Sequence, residues 1–169
     1  NTYTIHSREL SDAFDGYRIA QVSDLHNAEF GAGNQRLLEM LREAEPDMIA
    51  ITGDLIDSRR TDLAVALAFA KEAVQIAPCY YVSGNHEARV SEYPELKTGL
   101  EAAGVTVLDD TQVKIEVSGE SITVIGVNDP SFSADYLSGD AAVIDQKLSE
   151  LVAEEPGFTL LLSHRPELF

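Results

Sequence analysis

Residues 47–57 read DMIAITGDLID. The stretch Asp47–Thr52 (DMIAIT) is apolar or β-branched after its first residue, too short for a helix and with no polar alternation. That is the pattern of a strand buried on both faces of a parallel sheet. It halts at Gly53-Asp54. The same construction recurs on either side. YRIAQV (17–22) passes through Ser23 into Asp24-Leu25-His26, and CYYVS (79–83) passes into Gly84-Asn85-His86-Glu87. Between these strands, Leu37, Leu38 and Leu41 set a helix over Arg36–Arg42, with Asn34 as its expected N-cap. An Ala-rich helix spans Thr61–Ile76, capped by Thr61 or Asp62 and stopped by Pro78. A third helix spans Glu92–Ala103 and ends at Gly104. Strands alternating with helices predict a mostly parallel sheet with right-handed crossovers.

After Gly104 the pattern changes. Val105–Leu108, Gln112–Val117 and Ser121–Val127 read as a meander of short strands, with a tight turn at Ser118-Gly119-Glu120. They predict antiparallel additions or a second sheet. A helix over Ala141–Ala153, a turn at Pro156-Gly157 and a buried strand over Phe158–Ser163 close the pattern. Residues 2–6 alternate weakly and suggest an edge strand. No linker or low-complexity stretch divides the chain, so 1–169 reads as a single domain.

Twelve basic residues against 29 acidic ones leave a net charge of −17 over 169 residues. That balance excludes a clamp on nucleic-acid phosphates and adhesion to anionic lipid. The single cysteine, Cys79, excludes a disulfide framework and a structural zinc knuckle, and it reads as a small buried hydrophobe. No window is apolar enough to span a membrane. The chain opens on Asn1, which allows for a removed leader or an anchor outside this stretch.

Four buried strands therefore run into polar residues: Asp24 and His26; Asp54 and Asp57; Asn85, His86 and Glu87; His164 and Arg165. In an open parallel sheet the carboxyl ends of the strands share one edge, where ligands bind. Asp54 follows Asp24 by 30 residues and Asn85 follows Asp54 by 31, each about one βαβ unit. Three of the four histidines fall in these loops. Imidazole, carboxylate and amide oxygen together suit Zn²⁺, Fe or Mn²⁺. Carboxylates gathered in a buried site repel one another unless a cation stands between them.

The ordered series D-x-H, G-D-x-x-D, G-N-H-E and a late apolar strand ending in S-H resembles the calcineurin-like metallophosphoesterases. The stretch SDLHN…FG…N..LL…PDMIAITGDLID is similar to a bacterial branch whose members are often membrane-tethered and act on phosphodiesters or pyrophosphates. The resemblance implies a four-layer α/β/β/α sandwich with mixed sheets. It implies two divalent metal ions (Mn, Fe or Zn): Asp24, His26 and Asp54 would hold the first, and Asp54, Asn85 and His164 the second. It also implies His86 as the general acid, steadied by Glu87, and attack on phosphorus by a hydroxide bridging two metals. The implied substrate is a small-molecule or lipid-linked phosphoester, and the implied location bacterial, membrane-associated or cytoplasmic. Oligomeric state is left open.

The family's final G-H-x-H motif and last strands are not found before Phe169. Taken literally, each metal loses a ligand, so weak metal binding and slow hydrolysis are expected of this stretch alone, and a non-catalytic scaffold is the alternative. Asp57, Asn128, Asp129 and Arg165 are weaker candidates for supporting or substrate contacts. Each also reads as turn or loop chemistry. Arg59-Arg60 reads as either a phosphate contact or a solvated helix approach, and His6 as structural or exposed. Gly31-Ala32-Gly33 only faintly resembles a dinucleotide loop. A receiver-like nucleotide domain is a third reading, which the strand-end histidines oppose.

Overall fold

The computed structural model describes residues 1–133, 140–152 and 157–168. Strands β1 (Ile19–Val22), β2 (Met48–Thr52), β3 (Cys79–Val82) and β4 (Thr106–Val107) form a parallel sheet in chain order. Helices α1 (Gln35–Ala44), α2 (Leu63–Ala73) and α3 (Tyr93–Ala103) supply the crossovers. Strands β5 (Thr111–Val117), β6 (Glu120–Gly126) and β7 (Thr159–Leu162) form a second sheet. In it β5 and β6 are antiparallel and β7 lies parallel to β6. Helix α4 (Asp140–Leu151) precedes β7.

Period-two alternation along the strands assigns the layers. Ile49, Ile51, Cys79 and Tyr81 pack against Leu38 and Leu41 of α1, Phe69 of α2, and Leu96 and Leu100 of α3. Met48, Ala50 and Val82 point the other way and meet Ile122, Val124 and Leu162 of the second sheet. Ile125 and Val127 face outward against Ile144 of α4. The order is α/β/β/α, as expected. β2 is enclosed on both faces, which is why its sequence is uninterrupted by polar residues. Each large aliphatic side chain it buries contributes about 1.5–3 kcal/mol.

Two structural devices fix this stacking. Ser118 (φ 53°) and Gly119 (φ 87°) both adopt the left-handed region, giving the two-residue turn that matches the twist of β5 and β6. Gly126 packs directly against the first sheet: a Cβ there would collide with Leu108 and sit 2.7 Å from Val82 Cγ1.

Three sequence expectations are corrected. Residues 2–6 form no strand; Tyr3 and Ile5 are 82% and 73% exposed, so their alternation has no surface to pack against. Thr106–Val107 does not belong to a meander. Because α3 precedes it, it crosses over to pair in parallel with Tyr80 and Tyr81. Asn34 makes no side-chain cap on α1, since its Oδ1 accepts from the Phe30 N–H instead. Asp62, by contrast, caps α2 through the N–H groups of Ala64 and Val65. Ala153, Pro156 and Phe169 lie outside the described residues.

Gly126→Ala is expected to destabilise the protein by about 1–3 kcal/mol, the usual cost of overpacking a filled core. Urea unfolding monitored by circular dichroism measures it.

Candidate metal centre

The carboxyl ends of β1, β2, β3 and β7 meet at one edge, so residues distant in sequence become neighbours. The loops after β1 and β2 are laced together. The N–H groups of Asp24, His26 and Asn27 donate to the carbonyls of Gly53, Asp54 and Leu55 at 3.1, 2.9 and 3.1 Å. Asn27 adds a clamp: its Oδ1 accepts from Asp57 N–H (2.9 Å) and Asp62 N–H (3.2 Å), while its Nδ2 donates to the Asp62 carbonyl (2.7 Å). These bonds hold an uncommon backbone. Asp24, His26, Asn27 and Asp54 have φ of 57°, 47°, 57° and 49°, a region that costs non-glycine residues about 1–3 kcal/mol each. Gly84 is needed for a different reason: a Cβ there would strike the Asp54 carboxylate.

Asp54 is the hub. It is buried, and its Oδ2 lies 3.4 Å from His164 Nε2, 3.6 Å from His26 Nε2 and 4.0 Å from His86 Nε2. Asp24 Oδ1 is 3.6 Å from His26 Nε2. Among the described residues, two sets of donor atoms lie within 4.8 Å of one another: His26, Asp54 and His86, and Asp24, Asp54 and His164. Asp54 belongs to both. Two ligands bound to one ion at about 2.1 Å stand about 3–3.4 Å apart. The closer spacings here are near that value and longer than good hydrogen bonds, so the donor set fits divalent cations.

Burial alone would raise the Asp54 carboxyl. Hydrogen bonds from His164 and the His86 N–H (2.8 Å), with the charge of both imidazoles, hold it below the usual range. His164 shows the converse. Burial disfavours its charge, but Asp54 and the Thr52 carbonyl (2.9 Å from Nδ1) raise it to about 9. Its Nε2 faces two acceptor oxygens, Asp54 Oδ2 and Asn85 Oδ1, the latter at 3.2 Å. Such an arrangement needs a positive species at Nε2, either a proton or a metal ion. With Nδ1–H donated to a carbonyl, Nε2 is the coordinating atom, so loading a cation releases a proton.

His86 is wired the opposite way. Its Nδ1 accepts the Ser58 N–H at 3.0 Å, so in this geometry Nε2 carries the hydrogen. Distance groups His86 with the ligands, but its protonation makes it a donor aimed at the site. Asp57 Oδ1 (3.5 Å) and Ser58 Oγ (3.3 Å) stand ready to accept from Nδ1 when the ring takes a second proton.

Glu87 does not steady this imidazole. Its oxygens accept from the N–H groups of Asp54 (2.9 Å), Ile56 (3.2 Å) and Gly84 (2.8 Å). Burial raises its carboxyl, and those N–H groups partly offset the rise. Glu87 thus moulds the Asp54 turn, while Ser58 and Asp57 hold His86. The Ser58 contact goes through main-chain nitrogen, which no side-chain pattern signals.

Of the weaker candidates, Asp57 touches His86. Asn128 is taken up by structure: its Oδ1 accepts from Ser83 Oγ (2.7 Å) and its N–H donates to Asp110 Oδ1 (2.9 Å). Asp129 accepts two bonds from Arg165, at 2.7 and 2.8 Å, which tie the end of β7 to the end of β6 beside His164. Burial would raise the Asp129 carboxyl; Arg165 and Ser131 lower it.

The fold and this edge define an α/β/β/α protein with a carboxylate–imidazole cluster suited to divalent cations. Residues 17–168 match the calcineurin-like phosphoesterase family, and the chain belongs to it. It is 27% identical to the metallophosphoesterase YkoQ of Bacillus subtilis, over 99% of this chain and 60% of that protein. It is 26% identical to a Danio rerio transmembrane protein with a metallophosphoesterase domain, over 94% of this chain and 37% of the relative. The chain therefore spans less than two thirds of the length of these relatives. TT1561 of Thermus thermophilus shares the fold, with a TM-score of 0.59 and 20% identity over 79% of this chain and 61% of that one.

Asp129 has a depressed carboxyl, so its contribution to stability is full above the unfolded value of about 3.9. It is lost as pH falls through the lower native value. Asp129→Ala removes the carboxylate partner of the partly buried Arg165 and is expected to cost about 3 kcal/mol, the low end for a broken buried pair. Denaturant titrations from pH 7 to pH 2.5 test both: the difference between variant and parent shrinks at the acid end.

Proposed function

We propose that this protein hydrolyses phosphoester bonds with two divalent cations held by Asp24, His26, Asp54, Asn85 and His164, and with His86 donating to the leaving oxygen. The observation that carries the reading is the opposed wiring of two histidines around Asp54. His164 offers a bare Nε2 once its proton is displaced, whereas His86 presents Nε2–H. One imidazole is prepared as a ligand and the other as a donor.

Bound cations of the Mn, Fe or Zn type would neutralise charge developing on phosphoryl oxygens and make water a nucleophile near neutral pH. The chain's own residues do the rest. Asp54, anchored by His86 N–H through Oδ1, directs Oδ2 to the centre. Glu87 fixes the turn that presents Asp54. His86 Nε2–H hydrogen-bonds the leaving oxygen. Full proton transfer requires a second proton at Nδ1, for which Asp57 supplies the counter-charge. The overall reaction adds water across the P–O bond, the departing oxygen taking the bond pair and a proton.

The substrate class includes phosphomonoesters, diesters and diphosphates, small or lipid-linked. No helix among the described residues is long and apolar enough to cross a membrane. The relatives named as transmembrane proteins support a tether outside this chain.

The test is hydrolysis of bis(4-nitrophenyl) phosphate after chelation and after Mn²⁺ addition. Activity is expected only with the metal. His86→Asn is expected to lower kcat about 10²–10⁴-fold while elemental analysis finds the metal retained. Asp54→Asn is expected to lose both. A protein that neither retains metal nor turns over the diester refutes the proposal.

A further inference from the structure

The two donor sets around Asp54 are not prepared to the same degree. In the set of Asp24, Asp54 and His164, each member is supported. His164 is nearly enclosed, its side chain 8% exposed, and its Nδ1 lies 2.9 Å from the Thr52 carbonyl. Gly53 lets the ring pack down on the main chain, since a Cβ there would sit 2.7 Å from Nδ1. The Ser23 hydroxyl reaches that same carbonyl (3.1 Å) and Asp24 Oδ2 (2.5 Å). One carbonyl at the end of β2 therefore ties the His164 ring and the Asp24 carboxylate into a single network. Asn85 Oδ1, 3.2 Å from His164 Nε2, adds a neutral oxygen.

His26 lacks such support. Its Nδ1 is buried and has no hydrogen-bond partner among the described residues. Its Nε2 lies 3.6 Å from both Asp24 Oδ1 and Asp54 Oδ2. With the hydrogen on Nε2, the ring points a donor at those two carboxylates. To coordinate through Nε2 it must carry the hydrogen on Nδ1, where nothing accepts it. A metal-bound imidazole ordinarily gives that second N–H to an acceptor, and loss of the acceptor costs about 10–100-fold in affinity. The neighbouring ring does not compensate. His86 meets His26 edge to face, with ring centroids 4.4 Å apart, and turns its own Nε2–H inward. The set of His26, Asp54 and His86 thus offers one carboxylate, whereas the set with His164 offers two.

Resting on the cation reading proposed above, we infer that the centre fills in a fixed order: Asp24, Asp54 and His164 take the first cation with Asn85 beside them, and His26 becomes a ligand only with the second. The family resemblance divides the ligands otherwise, giving Asp24 and His26 to one ion and His164 to the other. That division describes the doubly loaded form, reached when the Asp24 carboxylate, whose side chain is 57% exposed, turns toward His26. The singly loaded protein is then assembled but idle. Hydrolysis follows the weaker equivalent, so turnover responds to free cation over a range in which the first ion is already in place.

Calorimetric titration of the chelator-treated protein with Mn²⁺ tests the order. Two equivalents are expected, with Kd values about tenfold or more apart. His26→Gly, which tolerates the left-handed backbone at that position (φ 47°), is expected to keep the tight equivalent and lose the weak one. His164→Ala is expected to lose the tight one. A second measurement follows the parent itself, through ring ¹H–¹⁵N spectra during Zn²⁺ addition. His164 is expected to shift over the first equivalent and His26 only over the second. Hydrolysis of bis(4-nitrophenyl) phosphate is expected to rise with the second Mn²⁺ equivalent. Equal Kd values, a His26 shift with the first equivalent, loss of tight binding in His26→Gly, or full turnover at one equivalent overturns the inference and leaves the phosphoesterase reading standing. Ordered filling by a protein that hydrolyses no diester supports the order and refutes the hydrolase. A parent protein that binds no Mn²⁺ refutes both.

Discussion

A carboxylate enclosed by protein is an unstable arrangement unless something positive faces it. Much of this molecule's edge is built to keep Asp54 in that position. One oxygen is fixed by a main-chain N–H, the other is left toward three imidazoles, and the turn beneath is moulded by the buried Glu87. The glycine opposite is small because the carboxylate occupies the space a side chain would fill. The left-handed backbone at Asp24, His26, Asn27 and Asp54 is the conformational cost of bringing these groups together, offset by the hydrogen bonds that lace the two loops.

The histidines around that carboxylate show how a protein assigns different tasks to one side chain. His164 and His86 lie near the same oxygen, yet one Nδ1 meets a carbonyl and the other an amide N–H. The identity of that remote partner decides whether the inward nitrogen offers a lone pair or a hydrogen. Proximity alone would have made both ligands.

The fold was largely legible in the sequence because burial on two faces leaves β2 apolar up to its terminal Thr52, and because helices of ordinary length separate β1, β2 and β3. The polar residues that end those strands are equally conspicuous, since nothing about sheet packing calls for Asp, Asn and His there. What escaped notice has physical reasons. β4 has only two residues, too few for periodicity to distinguish a parallel crossover from a meander. Ser58 acts through its main-chain N–H, which every residue but proline possesses. Glu87 beside His86 suggested a dyad, whereas its side chain turns inward to three amides. Asp129 and Arg165 read as separate turn residues, because their pairing is created only when β7 docks beside β6.

That docking has a thermodynamic corollary. Asp24 and Asp54 extend from the first sheet and His164 from the second, so a cation held by the three would act as a rivet between layers joined by apolar contact and a few hydrogen bonds. Its binding energy would also be cohesion between the two sheets, so that occupancy and resistance to heat would rise together with free cation concentration.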